Sequence, residues 1–371
     1  MITADIVVIG GGIAGISAAA ELAREALVVV LEQEQATGYH STGRSAAMFV
    51  KNYGNATLRA LNAIAEPFLM GEGEAPAVLS QRGELLVASE AELDTFNAYL
   101  DGSAGLERLT TAEAQSLVPI LRPEAVVAAA YEPAAHDIDV DLMFQSYVKA
   151  LRKRGGQIVT NAEAQTIART GDVWRVETGA GSFEAPIIVN AAGAWADHVA
   201  HLAGVHPVGL SPLRRSAAIL PAPDGHDVTQ WPLFVSASED WYARPEAGKL
   251  MVSPADEDPV EPHDAWPDDM VLAEGLNRYE QAVTVPVTRV ERSWAGLRTF
   301  APDRSPVVGF ASDVDGFFWL AGQGGYGIQT SPALSRFTAA TIFRRGSELS
   351  ETTIAALSPA RFDDTSKGLR E

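Results

Sequence analysis

"ADIVVIGGGIAGISAAAELAREALVVVLE", residues 4–32, decides the fold. Residues 4–10, "ADIVVIG", read as a buried strand, and the glycines that follow open a helical stretch that lasts to about Arg24. A second apolar run then ends in Glu32. Two parallel strands need a crossover of this kind, so the stretch reads as strand, helix, strand. Gly10, Gly12 and Gly15 form G-x-G-x-x-G at the first turn. The first permits a tight turn, the second lets a pyrophosphate approach the backbone, and the third lets the helix lie close to the sheet. The helix N-terminus offers unpaired N–H groups and partial positive charge to phosphate. Glu32, at the next strand end, is placed to accept from ribose hydroxyls and to disfavour a 2′-phosphate. The pattern implies dinucleotide binding and does not choose the dinucleotide.

The rest of the chain narrows the class. With 371 residues it is long enough for two domains. The net charge of −20 argues against nucleic acid and anionic membrane surfaces as partners. The chain has no cysteine, which excludes disulfides, iron–sulfur clusters, thiolate metal sites, cysteine nucleophiles and a cysteinyl-tethered cofactor. No metal site is expected. The apolar N-terminus lacks a basic leader and is broken by glycines before spanning length, so a soluble cytoplasmic protein is expected.

Strands are expected at 83–89, 128–133 and around "RRSAAILPA", "PLFVSAS", "WYARPE" and "KLMVSP", with another in "TRVERSWAGLRTF". Helices are expected over 57–70, after Asp139 or Asp141 as cap, and near 267–283. "APIIVNAAGAW" (185–195) is a second buried strand feeding a glycine turn, and "GFFWLAGQGGYGIQTSPAL" reads as strand, glycine-rich turn, helix. The expected fold is α/β, or α+β taken as a whole. Residues 1–80, 141–207 and 301–371 would form a discontinuous cofactor domain. Residues 81–140 and 208–300 would form a mostly antiparallel second domain.

The ordered set Gly10–Gly15, Glu32, "STGRSAA" (41–47), "IIVNAAGAWAD", "WAGLRTFAPDRSPVVGF" and "LAGQGGYGIQTSPAL" resembles the D-amino-acid oxidase and glycine oxidase family of FAD enzymes. Within it the pattern is most similar to that of bacterial D-arginine dehydrogenases, over nearly the whole chain. The resemblance implies a noncovalent FAD in a Rossmann-type domain, its flavin facing the antiparallel sheet. The implied cofactor contacts are Gly10, Gly12, Ile13, Ala14, Gly15, Glu32 and Gln33, then Ser41, Thr42, Arg44, Ser45 and Ala46. Ala191, Gly193, Trp195 and Gly296 follow, and Gly324, Gly325, Tyr326, Gly327 and Ile328 complete the set.

An amino-acid oxidoreductase must hold a carboxylate, and the planar fork of arginine does so with two charge-assisted bonds. By resemblance Arg298 is the main carboxylate ligand and Arg215 a second, while Arg214 beside it points to the opposite face. Tyr53 and Tyr242 match tyrosines that close the pocket, and Gly325 matches a carbonyl that accepts from the substrate amine. Glu84 opens an apolar run, where a carboxylate is usually a strand-edge surface group, and the resemblance implies that it meets a cationic substrate side chain instead. Met48 stands where the D-arginine dehydrogenase pattern has a histidine, giving either plain packing or a more apolar pocket. His40 and His136 receive no role.

The implied reaction is oxidative deamination of a D-amino acid, D-arginine or D-lysine among them, or with broad specificity. Hydride passes from the α-carbon to flavin N5, and the imino acid hydrolyses to 2-oxo acid and ammonia. A glycine or sarcosine oxidase, a 2-hydroxy-acid dehydrogenase and a non-enzymatic FAD-binding subunit are the alternatives. A quinone-linked acceptor or oxygen would reoxidise the flavin, and the oligomeric state, monomer included, stays open.

Overall fold

A computed structural model describes residues 1–363, so the last eight residues of the expected cofactor domain, 364–371, lie outside the described residues. A six-stranded sheet forms its nucleotide-binding side, in the order Gln157–Val159, Val28–Leu31, Ile6–Ile9, Ile187–Asn190, Phe317–Ala321, Val307–Phe310. All neighbours are parallel except the last pair. Strands buried on both faces need continuous apolar runs; IVVI, VVVL and FFWLA supply them, every residue buried.

The chain order along this sheet reverses between Ile6–Ile9 and Ile187–Asn190, and the crevice beyond strand ends at such a switch point is where α/β sheets bind ligands. The fingerprint helix, Ile13–Leu22, packs on the long helix Gly327–Ile342 and on Val140–Lys153. Asp139 caps the last of these, its side chain accepting from the Leu142 N–H at 2.9 Å, and Arg152 and Lys153 close the final turn. On the other face lies an antiparallel three-strand meander, Ala164–Thr170, Val173–Thr178 and Gly181–Ala185, joined to Ile2–Thr3.

The second large sheet has nine strands. Its order is Asp258–Pro259, Ser211–Leu220, Lys249–Ser253, Tyr242–Glu246, Leu233–Ser236, Glu84–Ala88, Ala128–Glu132, Glu107–Leu109, with Arg292–Phe300 also on Ser211–Leu220. Neighbours are antiparallel except Leu233–Ser236 beside Glu84–Ala88. The expected class, a Rossmann-type half with a mostly antiparallel sheet, is the one found.

Register puts one set of side chains on one face, because paired residues share a side and alternate residues repeat it. Leu213 faces Arg298, Arg215 lies two residues on, Ser253 faces Tyr242, and Val235 links Tyr242 to Leu86. Glu84 and Glu132 form a direct pair at the far end of that face. A small sheet of Met48–Phe49, His136–Ile138 and Leu79–Gln81 carries the chain between the two large ones.

Candidate active site

A cavity of roughly 710 Å³ runs from the switch point to the inner face of the nine-stranded sheet. At its nucleotide end the glycines act as the sequence suggests. A Cβ on Gly15 would lie 1.9 Å from the Gly10 carbonyl oxygen, and Gly10, at φ +111°, would meet the Ala191 carbonyl at 2.3 Å. Helix, turn and neighbouring strand end are therefore in near backbone contact. Gly12 is the helix N-cap and no side chain closes it, although Thr42 Oγ1 accepts from the Ile13 N–H at 3.0 Å. Glu32 accepts from the Gly11 N–H at 2.8 Å and the Glu34 N–H at 2.9 Å, so it also fixes the turn it follows. Burial raises its carboxyl above the ordinary range against these hydrogen bonds.

Most of the expected cofactor residues meet on this wall. Gly10, Gly12, Ile13, Ala14, Glu32 and Gln33 line one side, and Ser41, Thr42, Arg44, Ser45 and Ala46 another. Ala191, Gly193 and Trp195 come from the middle strand end, Gly296 from the large sheet, and Gly324, Gly325, Gly327 and Ile328 from the start of the long helix. Gly15 lies behind the turn, and the Tyr326 ring packs against Tyr53 at 5.0 Å and Phe300 at 6.0 Å rather than forming part of this wall.

Arg44 lines the cavity, and its guanidinium also has protein partners. It donates to the carbonyls of Ala265 and Ala295 at 3.0 Å each and pairs with Asp264. Ser41 and Trp294 add bonds to the same seam. Arg44 offers the cavity its stem and fastens the 41–45 turn to the strand Arg292–Phe300. His40, unassigned from sequence, touches Glu34 at 2.9 Å and stacks near Trp195 at 4.6 Å.

At the far end stands Arg298, which lines the cavity and has no hydrogen bond or ion pair among the described residues. A Cβ on Gly325 would press on it at 3.0 Å, so glycine leaves the fork its room. Burial works against its charge, and Tyr53, Tyr242 and Glu239 more than offset that, leaving it above the ordinary arginine value. Arg215 shares the wall but is paired with Glu257 at 2.9 Å. Arg214 faces the other way, bound to Asp258 at 2.8 Å.

The two tyrosines differ. Burial raises the Tyr53 hydroxyl, with Glu239 adding to it; its oxygen lies 3.5 Å from the Glu239 carboxylate. Burial would raise Tyr242 too, but Arg298, Arg215 and a hydrogen bond with Ser253 bring it below its ordinary value. Tyr242 lines the cavity and Tyr53 does not.

Glu84 and Met48 also lie off the cavity wall. Glu84 is partly buried on the shared sheet face, without a hydrogen-bond partner among the described residues. Burial, then Glu132 and Glu239, push its carboxyl up to about 8. Met48 is half-buried and paired through its backbone with Asp137.

Two wall residues escaped the sequence reading. Thr299 Oγ1 and Gln323 Nε2 are buried without a protein partner, and both line the cavity. An orphaned buried donor is costly, so each calls for a polar ligand group. With the helix N-terminus, where Gly12 brings no side chain of its own, they fit a dinucleotide that has polar edges at both ends. The profile of the FAD dependent oxidoreductase family (DAO) matches residues 5–341.

The chain belongs to that family. FAD is its cofactor. Among relatives, mouse sarcosine dehydrogenase is 27% identical over 348 residues, 85% of this chain but 37% of the mouse protein. The chain thus spans little more than a third of that relative. In fold it is similar to glycine oxidase from Geobacillus kaustophilus, with TM-score 0.82 at 22% identity over 97% of this chain and 99% of that one. It is also similar to L-proline dehydrogenase from P. horikoshii, with TM-score 0.84 at 22% identity over 98% and 99%. No helix among the described residues is long and apolar enough to cross a membrane.

Proposed function

We propose that this flavoprotein oxidises the C–N bond of a small amino acid, a D-amino acid with a basic side chain in its preferred case. One observation carries the reading: Arg298, a half-buried guanidinium without a counter-ion, stands on the wall of the cofactor cavity between tyrosines. A partly desolvated cation favours an anion, and a planar fork favours a carboxylate.

Arg298 would take the substrate carboxylate, with the Tyr242 hydroxyl as a further donor. The Gly325 carbonyl, which receives no backbone hydrogen bond among the described residues, would accept from the amine. These contacts would fix the α-carbon and exclude water. Bound FAD supplies the redox step, accepting the α-hydrogen with two electrons. Imine and then 2-oxo acid with ammonia would be the products.

The basic preference rests on Glu84, unpartnered on the face that also carries Arg298 and Tyr242. The D configuration rests on the motif likeness to D-arginine dehydrogenases. A secondary amine such as sarcosine is the second reading, favoured by the sarcosine dehydrogenase match. Anaerobic mixing with D-arginine, D-lysine, their L-isomers, sarcosine and 2-hydroxy acids tests both. Bleaching of the flavin band by the D-amino acids is expected. Bleaching by sarcosine or hydroxy acids alone would overturn the first reading.

A further inference from the structure

Arg215 and Arg298 lie on one face of adjacent strands, diagonal across the pairs Leu213–Arg298 and Arg215–Gly296. Both line the cavity, and two free guanidinium groups there would suit a substrate with two carboxylates. They are not equivalent. Arg298 has no partner, whereas Arg215 donates from Nη2 to Glu257 Oε1 at 2.9 Å. Glu257 is gripped in turn by Arg304, with bonds of 3.0 and 2.8 Å from its two terminal nitrogens. Arg304 lies over the Phe300 ring at 3.9 Å and holds φ at +59°, a region that side-chain-bearing residues seldom occupy. The surrounding contacts therefore hold this arginine where it can clamp Glu257. Burial would raise the Glu257 carboxyl, but Arg304, Arg215 and Arg298 bring it below its ordinary range, so it stays ionised near neutral pH.

We propose that Glu257 sets the substrate class by occupying Arg215, leaving one free guanidinium and selecting monocarboxylates over dicarboxylates. The Nε–H of Arg215 is buried and unpartnered, so the pair can still donate one hydrogen bond into the cavity. The Arg215–Glu257 pair carries no net charge, and Arg304, whose two terminal nitrogens both bind Glu257, does not line the cavity. A second carboxylate brought there would meet Glu257 as well as Arg215, and like charges at that range repel. The inference rests on the amino-acid reading for the identity of the substrate, while the charge pattern itself does not.

The test uses the holoenzyme, Glu257→Gln, and the charge-balanced double variant Glu257→Gln/Arg304→Gln, which guards against misfolding from an unpaired cation. Acetate, malonate and succinate are titrated against the flavin absorbance, and kcat/KM is measured for D-alanine against D-aspartate and D-glutamate. Freed from Glu257, Arg215 regains a charge-assisted bond, which should improve dicarboxylates relative to monocarboxylates by about tenfold or more in both readouts. A merely structural role would weaken all ligands together and leave that ratio alone. A ratio unchanged within about threefold in both variants, or a native enzyme already preferring the dicarboxylates, overturns the proposal. If the ion titrations shift while no amino acid reduces the flavin in any form, the amino-acid reading fails and the role of Glu257 stands. If amino acids reduce the flavin and neither ratio moves, the reverse holds.

Discussion

Replacing Arg298 with methionine should separate stability from activity. The guanidinium makes no protein hydrogen bond, so its removal orphans no partner, and methionine can fill the space of its stem. What disappears is a half-buried charge that no carboxylate within ion-pair distance neutralises until a ligand binds. Replacing buried ionic groups by apolar ones of similar volume is commonly neutral or stabilising, here by about 1–2 kcal/mol. For a chain of this size that corresponds to a rise in Tm of about 1–3 °C in the absence of substrate. The function should move the other way. Two charge-assisted hydrogen bonds of about 1.5–3 kcal/mol each are lost, so kcat/KM for a carboxylate substrate should fall by a factor of about 10² to 10⁴. FAD content should hold, because the cofactor cradle lies at the other end of the cavity. The assay is a thermal melt followed by flavin fluorescence, beside anaerobic flavin reduction. A variant with full FAD that melts more than about 4 °C lower, or keeps its carboxylate activity within tenfold, would falsify the argument: Arg298 would then hold the fold rather than await an anion.

Gly325→Ala places a Cβ 3.0 Å from Arg298 Nη1 and 3.1 Å from Cζ, so the fork must shift by a few tenths of an ångström. KM for the carboxylate substrate should rise about tenfold with FAD content unchanged, and equal KM values would show that the fork is mobile in the complex. Glu84 gives a pH signature. Its raised carboxyl, at about 8, is largely neutral at pH 7 and charged above 8. The preference for D-arginine over a neutral D-amino acid should therefore rise as pH passes through about 8 and be flat in Glu84→Gln. Stability runs the opposite way with pH. The folded chain keeps this proton where the unfolded chain has lost it, so the group's contribution falls as pH rises from the ordinary carboxylate range to about 8.

Local rules made the nucleotide side legible. Continuous apolar strands, the glycine spacing and the Asp139 cap are short-range statements, and the structure keeps them. The strand in "TRVERSWAGLRTF" is present but begins only at Arg292. Short helices at Leu93–Asp101 and Thr111–Leu117 were missed because each buries almost nothing of its own, Phe96 in one and Ala114 in the other. The destination of Arg44 was beyond reach from local sequence, since its partners lie more than 200 residues away. Glu257 sits in "PADEDP", where an acidic string reads as a solvated turn. Thr299 and Gln323 carried a faint signal, polar residues inside apolar or glycine-rich runs, and only the structure shows that nothing satisfies them.

The six-stranded sheet has a consequence for how the enzyme is made. Its central strand, Ile187–Asn190, joins Ile6–Ile9 to Phe317–Ala321, and the cavity wall takes residues from all three neighbourhoods. A nascent chain can write its fingerprint in the first 15 residues, yet the cradle is incomplete until Gly327 has left the ribosome. Flavin loading is thus a late event in biosynthesis, and pairings of such long sequence separation close slowly. Until Phe317–Ala321 arrives the apolar strands lack their last parallel neighbour, and FAD that binds afterwards favours the folded chain by mass action.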